Sequence, residues 1–305
     1  MPHNTTLNPS AKFFIVDGNA YVHRSYHGIP SLSTSQGVPV NAVYGFIRFL
    51  SKLLSVHSPD YCAVCFDHPS ATFRHADFPA YKSHRKEMDD DLKVQMPIAR
   101  AAAAALSLTT IEKPGYEADD IIATLARQSA RDGVETVIVT GDKDALQLVG
   151  DHITVYNESK DIFYTPAAVR EKYGLAVTDL VDYFGLMGDA SDNIPGLPGV
   201  GEKTALKLMQ TYGSIDTILK SSASIEGKLK SIVENNRDLL LQSKRLVTLC
   251  DTVPLDKTWR DCTVSVPDRR VLGEFLSRYE FKALAQEMLP KNAEPVKETF
   301  FDLLT

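Results

Sequence analysis

The stretch KFFIVDGN, residues 12–19, decides the fold. Lys12 to Val16 is a short apolar run rich in aromatic and β-branched residues, and it ends at Asp17-Gly18-Asn19, which reads as a buried strand delivering an aspartate at its carboxyl end. The pattern recurs. Tyr61 to Phe66 is a second apolar run ending in Asp67, and Val134 to Val139 is a third, leading through Thr140-Gly141 to Asp142 and Asp144. Between the runs, apolar residues recur at helical spacing over 41–57 (Val43, Phe46, Ile47, Leu50, Leu53, Leu54), and further helices are expected over 91–106 and 117–131. Strand and helix alternate, so the expected fold is a mostly parallel sheet flanked by helices, with its site beyond the carboxyl ends of the strands.

Outward from this core the pattern changes twice. Between Asp67 and Asp91 the periodicity fails, and the segment sets Arg74, Lys82, Arg85 and Lys86 beside Phe73, Phe78 and Tyr81. Such an excursion is either a solvated loop or a surface for phosphates and stacked bases of a single strand. After a short helix at 145–149 and a hairpin of 152–156 with 162–164, the chain from Pro166 onward reads as almost wholly helical: 166–173, 178–187, 201–212, 215–220, 237–249 and 270–288. A boundary therefore falls near 166–174. Within the helical part, GDASDNIPGLPGVGEKTALKLM (188–209) joins two carboxylates, Asp189 and Asp192, to a glycine turn that opens a helix with Lys203. Gly199 and Gly201 let a phosphate approach the backbone at the start of that helix.

Composition narrows the class. The 305 residues are 44% hydrophobic and 24% charged, as in an ordinary globular protein of one large or two modest domains. Neither a signal peptide nor an apolar run long enough for a membrane span is visible, so a cytoplasmic protein is expected. The cysteines at 62, 65, 250 and 262 are too few for a disulfide framework, and the Cys62/Cys65 pair lies inside an apolar strand with no second pair beside it. A formal charge of −6 argues against a polycation that coats nucleic acid. It leaves open a nuclease, in which acids are neutralised locally and bases gather elsewhere.

The acids carry the chemistry. Glu117, Asp119 and Asp120 open a helix, and with Asp17, Asp67, Asp142, Asp144, Asp189 and Asp192 they make nine carboxylates that the topology places largely around one rim. Two bare carboxylates ~4 Å apart repel by about 4 kcal/mol at an effective dielectric near 20, so the set calls for cations. Hard oxygen donors without histidine or thiolate select magnesium or manganese, and no calcium-loop spacing occurs. Two such ions suit in-line displacement at a phosphodiester. The nucleotide P-loop, the D-x-D phosphatase and the Ser-His-Asp hydrolase are all excluded by residue type.

The segments VDGNAYVHRSYH (16–27), CFDHPSATFRHADFPAYKSHR (65–85), YEADDIIATLA (116–126), VTGDKDALQLV (139–149) and GLMGDASDNIPGLPGVGEKTA (185–205), in this order, closely resemble the 5′-nuclease domain of bacterial DNA polymerase I. That domain belongs to the superfamily of flap endonucleases and 5′→3′ exonucleases. The resemblance implies a PIN-like core over 12–173 with a helical arch at 68–96, and a helical DNA-binding part over 174–289 with a helix-hairpin-helix. An N-terminal extension at 1–11 and a linker or tail at 290–305 flank them. It implies a first metal group of Asp17, Asp67, Glu117, Asp119, Asp120 and Asp142 and a second of Asp144, Asp189 and Asp192, holding two Mg²⁺ or Mn²⁺. Lys82, Arg85 and Asp142 would carry catalysis, with Tyr81 stacking on a base and Arg24 and Arg74 on phosphates. Gly199, Gly201, Lys203 and Thr204 would hold the duplex, beside a K⁺ bound by backbone carbonyls.

The implied reaction is cleavage of branched or 5′-ended DNA, and of RNA primers, leaving a 5′-phosphate and a 3′-hydroxyl during lagging-strand maturation and repair. The expected protein is a monomer at the nucleoid, either free-standing or the front of a longer polymerase. A branched-DNA binding module without catalysis is the alternative.

Overall fold

The computed structural model describes residues 11–289; the expected extension at 1–11, apart from Ala11, and the expected tail at 290–305 lie outside the described residues. Strand β1 (Lys12–Asp17) runs through the centre of a six-stranded sheet. It passes directly into α1 (Gly18–Gly28), which is followed by α2 (Asn41–His57), β2 (Tyr61–Cys65), α3 (Phe73–Asp77), α4 (Asp90–Ala105), β3 (Thr109–Ile111), α5 (Ala118–Arg131) and β4 (Glu135–Val139). A 3-10 turn at Asp144–Leu148 leads to β5 (Ile153–Asn157) and β6 (Ile162–Tyr164). The sheet order is β3-β2-β1-β4-β5-β6, parallel throughout except for β6, which runs against β5. Register aligns the carboxyl ends: Asp17 lies opposite Cys65, and Val16 opposite Val139.

The helical part comprises α6 (Pro166–Tyr173), α7 (Leu180–Met187), α8 (Glu202–Tyr212), α9 (Ile215–Lys220), α10 (Lys228–Asn235), α11 (Arg237–Val247), α12 (Arg269–Arg278) and α13 (Lys282–Met288). Alternation along β1 splits its side chains between two cores. Phe13 and Ile15 face α5 and a continuous apolar layer that runs on through Phe184, Leu208, Leu240 and Trp259. Phe14 and Val16 face α1, α2 and α4. The chain's last helices return to that second face, where Leu272, Leu276, Phe281, Leu284 and Met288 are buried. The apolar layer is therefore continuous across 173/174, and α12 and α13 join the second core beside α4 rather than packing with α6 to α11.

Several expected elements differ. The helix expected over 270–288 is two, because Glu280 takes a left-handed backbone (φ 59°) and its carboxylate accepts both the Ser35 N–H at 2.9 Å and the Ser35 hydroxyl. Helices α1 and α10 carry few buried positions (Gly18, Tyr21 and Val22; Val233), too sparse to show a period, and β3 has only three residues. The excursion at 68–96 is a five-residue helix, α3, and a run of turns to Arg85, while residues from Asp90 onward belong to α4, whose Leu92, Gln95 and Met96 are buried.

Candidate active site

Each strand end places its acid by a local device. Asp17 ends β1 and caps α1: one carboxylate oxygen accepts the Ala20 N–H at 3.0 Å and the other the Thr140 hydroxyl at 2.9 Å. Asp67 accepts the Ala118 N–H at 2.8 Å and the Asn19 side-chain amide N–H at 2.9 Å, and its own backbone N–H donates to Asn19 Oδ1 at 3.0 Å. Asp142 accepts the Asp144 N–H at 2.9 Å. With Asp119 of α5 and Asp192, these acids line a cavity of about 190 Å³ that also contains His23, Lys82 and Arg85. The acids come from five chain segments, and they meet at the carboxyl edge of the sheet.

Crowding marks them electrostatically. Burial, reinforced by Asp67 and Asp142, pushes the Asp17 carboxyl up to about 6. Burial and the charges of Asp17 and Asp142 hold Asp119 well above the usual range. Asp144 is pushed up to about 7 by burial and by Asp142, Asp189 and Asp192, and its Oδ1 is buried without a hydrogen-bond partner. Asp189 behaves oppositely: burial works against ionisation, but Lys143 at 2.5 Å and the Ser191 N–H at 2.7 Å hold its carboxyl below the usual range.

The loop that carries Asp189 and Asp192 depends on two glycines. Gly188 and Gly196 have φ of 71° and 59°, and a Cβ on either would stand 2.3 or 2.4 Å from backbone atoms of the opposing strand of the loop. Asp189 and Ile194 close the neck with reciprocal N–H to carbonyl bonds of 2.8 Å. From the other side, the Lys82 N–H donates to the Asp192 carbonyl at 2.9 Å, and Asn193 donates to the Ala80 carbonyl at 2.6 Å. Lys82 Nζ reaches Glu117 at 2.6 Å and Asp192 at 3.7 Å, and Arg85 pairs with Asp192. Burial lowers the Lys82 ammonium, but Glu117 and Asp192 outweigh it and keep the group above its ordinary value, so the charge is secure.

Three sequence-derived assignments change. Asp120 is fully buried, and both its oxygens are engaged: Arg74 grips them at 2.8 Å each, while the Cys250 N–H (2.9 Å) and the Glu117 N–H (3.2 Å) complete the set. It does not face the acid cavity and leaves no lone pair for a metal. Arg74, expected on a phosphate, is equally enclosed, 1% exposed, with its guanidinium taken up by Asp120, Glu117 and the Leu246 and Thr248 carbonyls. Tyr81, expected to stack on a base, is 3% exposed, and its hydroxyl donates to Glu117 at 3.0 Å. Burial and the Glu117 charge raise its phenol far above the usual value.

The remaining expected residues are spread more widely. Glu117 stands at the cap of α5 beside Lys82. Arg24 pairs with Glu158 at 2.6 Å and is half exposed. Gly199, Gly201 and Lys203 are exposed at the start of α8, with Thr204 half-buried, and the two glycines have open space where a Cβ would stand. Asn19, Thr140 and Lys143 were not singled out in the sequence, although each lies inside a quoted segment next to an acid.

The carboxylate oxygens of Asp17, Asp67, Asp119, Asp142 and Asp192 around the cavity, and the unpartnered Asp144 Oδ1 near it, suit a hard divalent cation. Among the described residues no three acids or histidines already converge as a ligand group, so they line a pocket rather than close on a point. A larger cavity, about 620 Å³, opens between α3, α9 and α11, but Phe73, Tyr116, Leu241 and Leu249 make it apolar and none of the nine acids enters it.

Fold and pocket together define an α/β protein whose acids gather at the carboxyl edge of a parallel sheet, with a helical part packed on one face. Residues 12–174 match the model of the 5′-3′ exonuclease N-terminal resolvase-like domain, and residues 175–270 that of the 5′-3′ exonuclease C-terminal SAM fold. The chain belongs to the 5′-3′ exonuclease family. It is 38% identical over 291 residues to DNA polymerase I of Bacillus caldotenax, covering 94% of this chain and 33% of that protein. The chain thus spans about a third of the length of that relative. It is 37% identical over 275 residues to a 5′-3′ exonuclease of Aquifex aeolicus, covering 90% of this chain and 94% of that one. The T5 D15 protein co-crystallised with metal ions shares the fold, with a TM-score of 0.70 and 19% identity over 88% of this chain and 98% of that one.

Proposed function

We propose that this chain is a structure-specific 5′ nuclease that hydrolyses phosphodiester bonds in flapped, nicked or 5′-ended DNA and in RNA primers, with two Mg²⁺ or Mn²⁺ ions. The observation that carries the reading is the single cavity in which Asp17, Asp67, Asp119, Asp142 and Asp192 meet Lys82 and Arg85. Asp17, Asp67, Asp119 and Asp142, with Glu117 beside them, would hold the first ion, and Asp144, Asp189 and Asp192 the second. Bound there, the ions supply an activated water and charge stabilisation at the leaving oxygen.

The protein's own part is arrangement. Thr140, Asn19 and the Ala20 and Ala118 N–H groups fix the carboxylates of Asp17 and Asp67 in place. Lys82, charged and held on Glu117, stands ready to stabilise the attacked phosphate, and Arg85 steers the phosphate toward it. The exposed turn at Gly199 and Gly201, with Lys203 and Thr204, would hold the duplex through backbone N–H groups and bind a monovalent cation such as K⁺. Arg24, half exposed, would add a backbone contact. A monomer working at the nucleoid of the cytoplasm, alone or joined to a polymerase, fits this activity.

The test is cleavage of an end-labelled 5′-flap duplex with Mg²⁺, run beside Asp142→Asn and Lys82→Ala. The parent should cut near the junction, and each variant should lose about 100-fold or more in rate. A parent that binds the flap and leaves it whole would favour a non-catalytic binding module instead.

A further inference from the structure

Arg74 and Asp120 are the most deeply buried ion pair next to the site, and the proposed chemistry uses neither. All five guanidinium N–H groups are engaged. Nε donates to the Leu246 carbonyl at 3.0 Å; Nη1 donates to Asp120 at 2.8 Å and to Glu117 at 3.3 Å; Nη2 donates to Asp120 at 2.8 Å and to the Thr248 carbonyl at 3.1 Å. The pair therefore ties together α3, the start of α5 and the exit of α11. Helix α3 has only five residues, too few to hold its own shape in water.

The contact also sorts the oxygens of Glu117. Oε2 takes Arg74 and the Tyr81 hydroxyl, which leaves Oε1 for Lys82. Because Tyr81 and Lys82 lie on the same segment as Arg74, fixing one end of that segment fixes where the ammonium stands.

We infer that Arg74, through Asp120, is a positioning residue that holds the segment 73–85 and the Glu117 carboxylate in register with the acid cavity, without touching the nucleic acid. The inference rests on the nuclease reading for its kinetic arm only. The experiment compares the 305-residue chain with Arg74→Lys, which keeps the charge and loses the fork, and with the neutral pair Arg74→Gln/Asp120→Asn, which removes both charges and keeps an oxygen acceptor for one of the Cys250 and Glu117 N–H groups. Thermal melting, backbone hydrogen exchange over 73–85, affinity for a 5′-flap duplex and its salt slope, and the single-turnover rate at saturating DNA are measured for each.

Both variants should melt cooperatively and bind the flap within about twofold of the parent with the same salt slope, because no phosphate contact is lost. The single-turnover rate should fall by about 100-fold, and exchange protection over 73–85 should drop. Weaker binding with a shallower salt slope overturns the inference, since Arg74 would then be a phosphate contact. An unchanged rate with lost protection overturns it too, leaving the pair a mere fastening. If the parent cuts nothing, the nuclease reading fails by itself, and exchange over 73–85 decides the clasp: protection as in the parent rejects it.

Discussion

Asp17 and Asp144 show how a single side chain records the demand for a cation. A carboxyl whose folded pKa is raised binds its proton more tightly in the folded chain, so it supports the fold at acid pH, and that support is lost as pH rises through the folded value. For these two groups the loss runs from about pH 4, the ordinary carboxyl value, up to about 6 for Asp17 and about 7 for Asp144. In EDTA, melting temperature should therefore decline across that window more steeply in the parent than in Asp17→Asn/Asp144→Asn. Added Mg²⁺ needs ionised ligands and should raise the parent's melting temperature progressively more toward neutral pH. Melting curves at stepped pH check both; a magnesium effect as large at about pH 4.5 as at about pH 7.5 would contradict this account.

Among the elements, the loop from Gly188 to Gly196 has the least room for change. At Gly188 the φ of 71° and the backbone oxygen of Ile194 at 2.3 Å from a hypothetical Cβ combine, so Gly188→Ala must move the loop that carries Asp189 and Asp192. The expected cost is roughly 1–3 kcal/mol, with weaker Mn²⁺ binding at the second acid group. Gly199→Ala meets open space at a similar φ, so it should cost about 1 kcal/mol and leave Mn²⁺ binding alone. Calorimetric Mn²⁺ titration of the two variants separates them, and equal losses in both would refute the close-approach argument. The same comparison shows what was legible: a glycine-punctuated turn could be seen in GDASDNIPGLPGVG, but which glycine serves packing and which stays open depends on the strand of loop lying opposite.

For the whole molecule, the two cores decide what can be removed. Helices α12 and α13 bury Leu272, Leu276, Phe281, Leu284 and Met288 in the second core, with α1, α2 and α4 and away from α6 to α11. At ~1.5–3 kcal/mol for each buried side chain, their loss rivals the entire stability of an ordinary domain. A chain ended after Val266 should fail to unfold cooperatively by circular dichroism, although nearly all of both matched domains would remain. Retention of a sharp transition near the parent's would refute the second core's role. The charge of −6 belongs to this scale as well: DNA affinity should still fall steeply with salt, because contacts follow the distribution of bases rather than the total.

The sequence by itself determined the strand-and-helix alternation and the acid at each strand end, because strand period, helix period and turn chemistry are local. It also determined the run of motifs that marks the family. It could not determine which acids share a cavity. Asp120 sits beside Asp119 in the chain yet faces the other way, onto an arginine from α3, and that arginine bonds carbonyls 172 and 174 residues further along. The burial of Tyr81 and the return of α12 and α13 to the second core beside α4 are decided in the same way, by partners distant in the chain. Only packing brings such partners together, and packing sets Arg74 and Asp120 against each other.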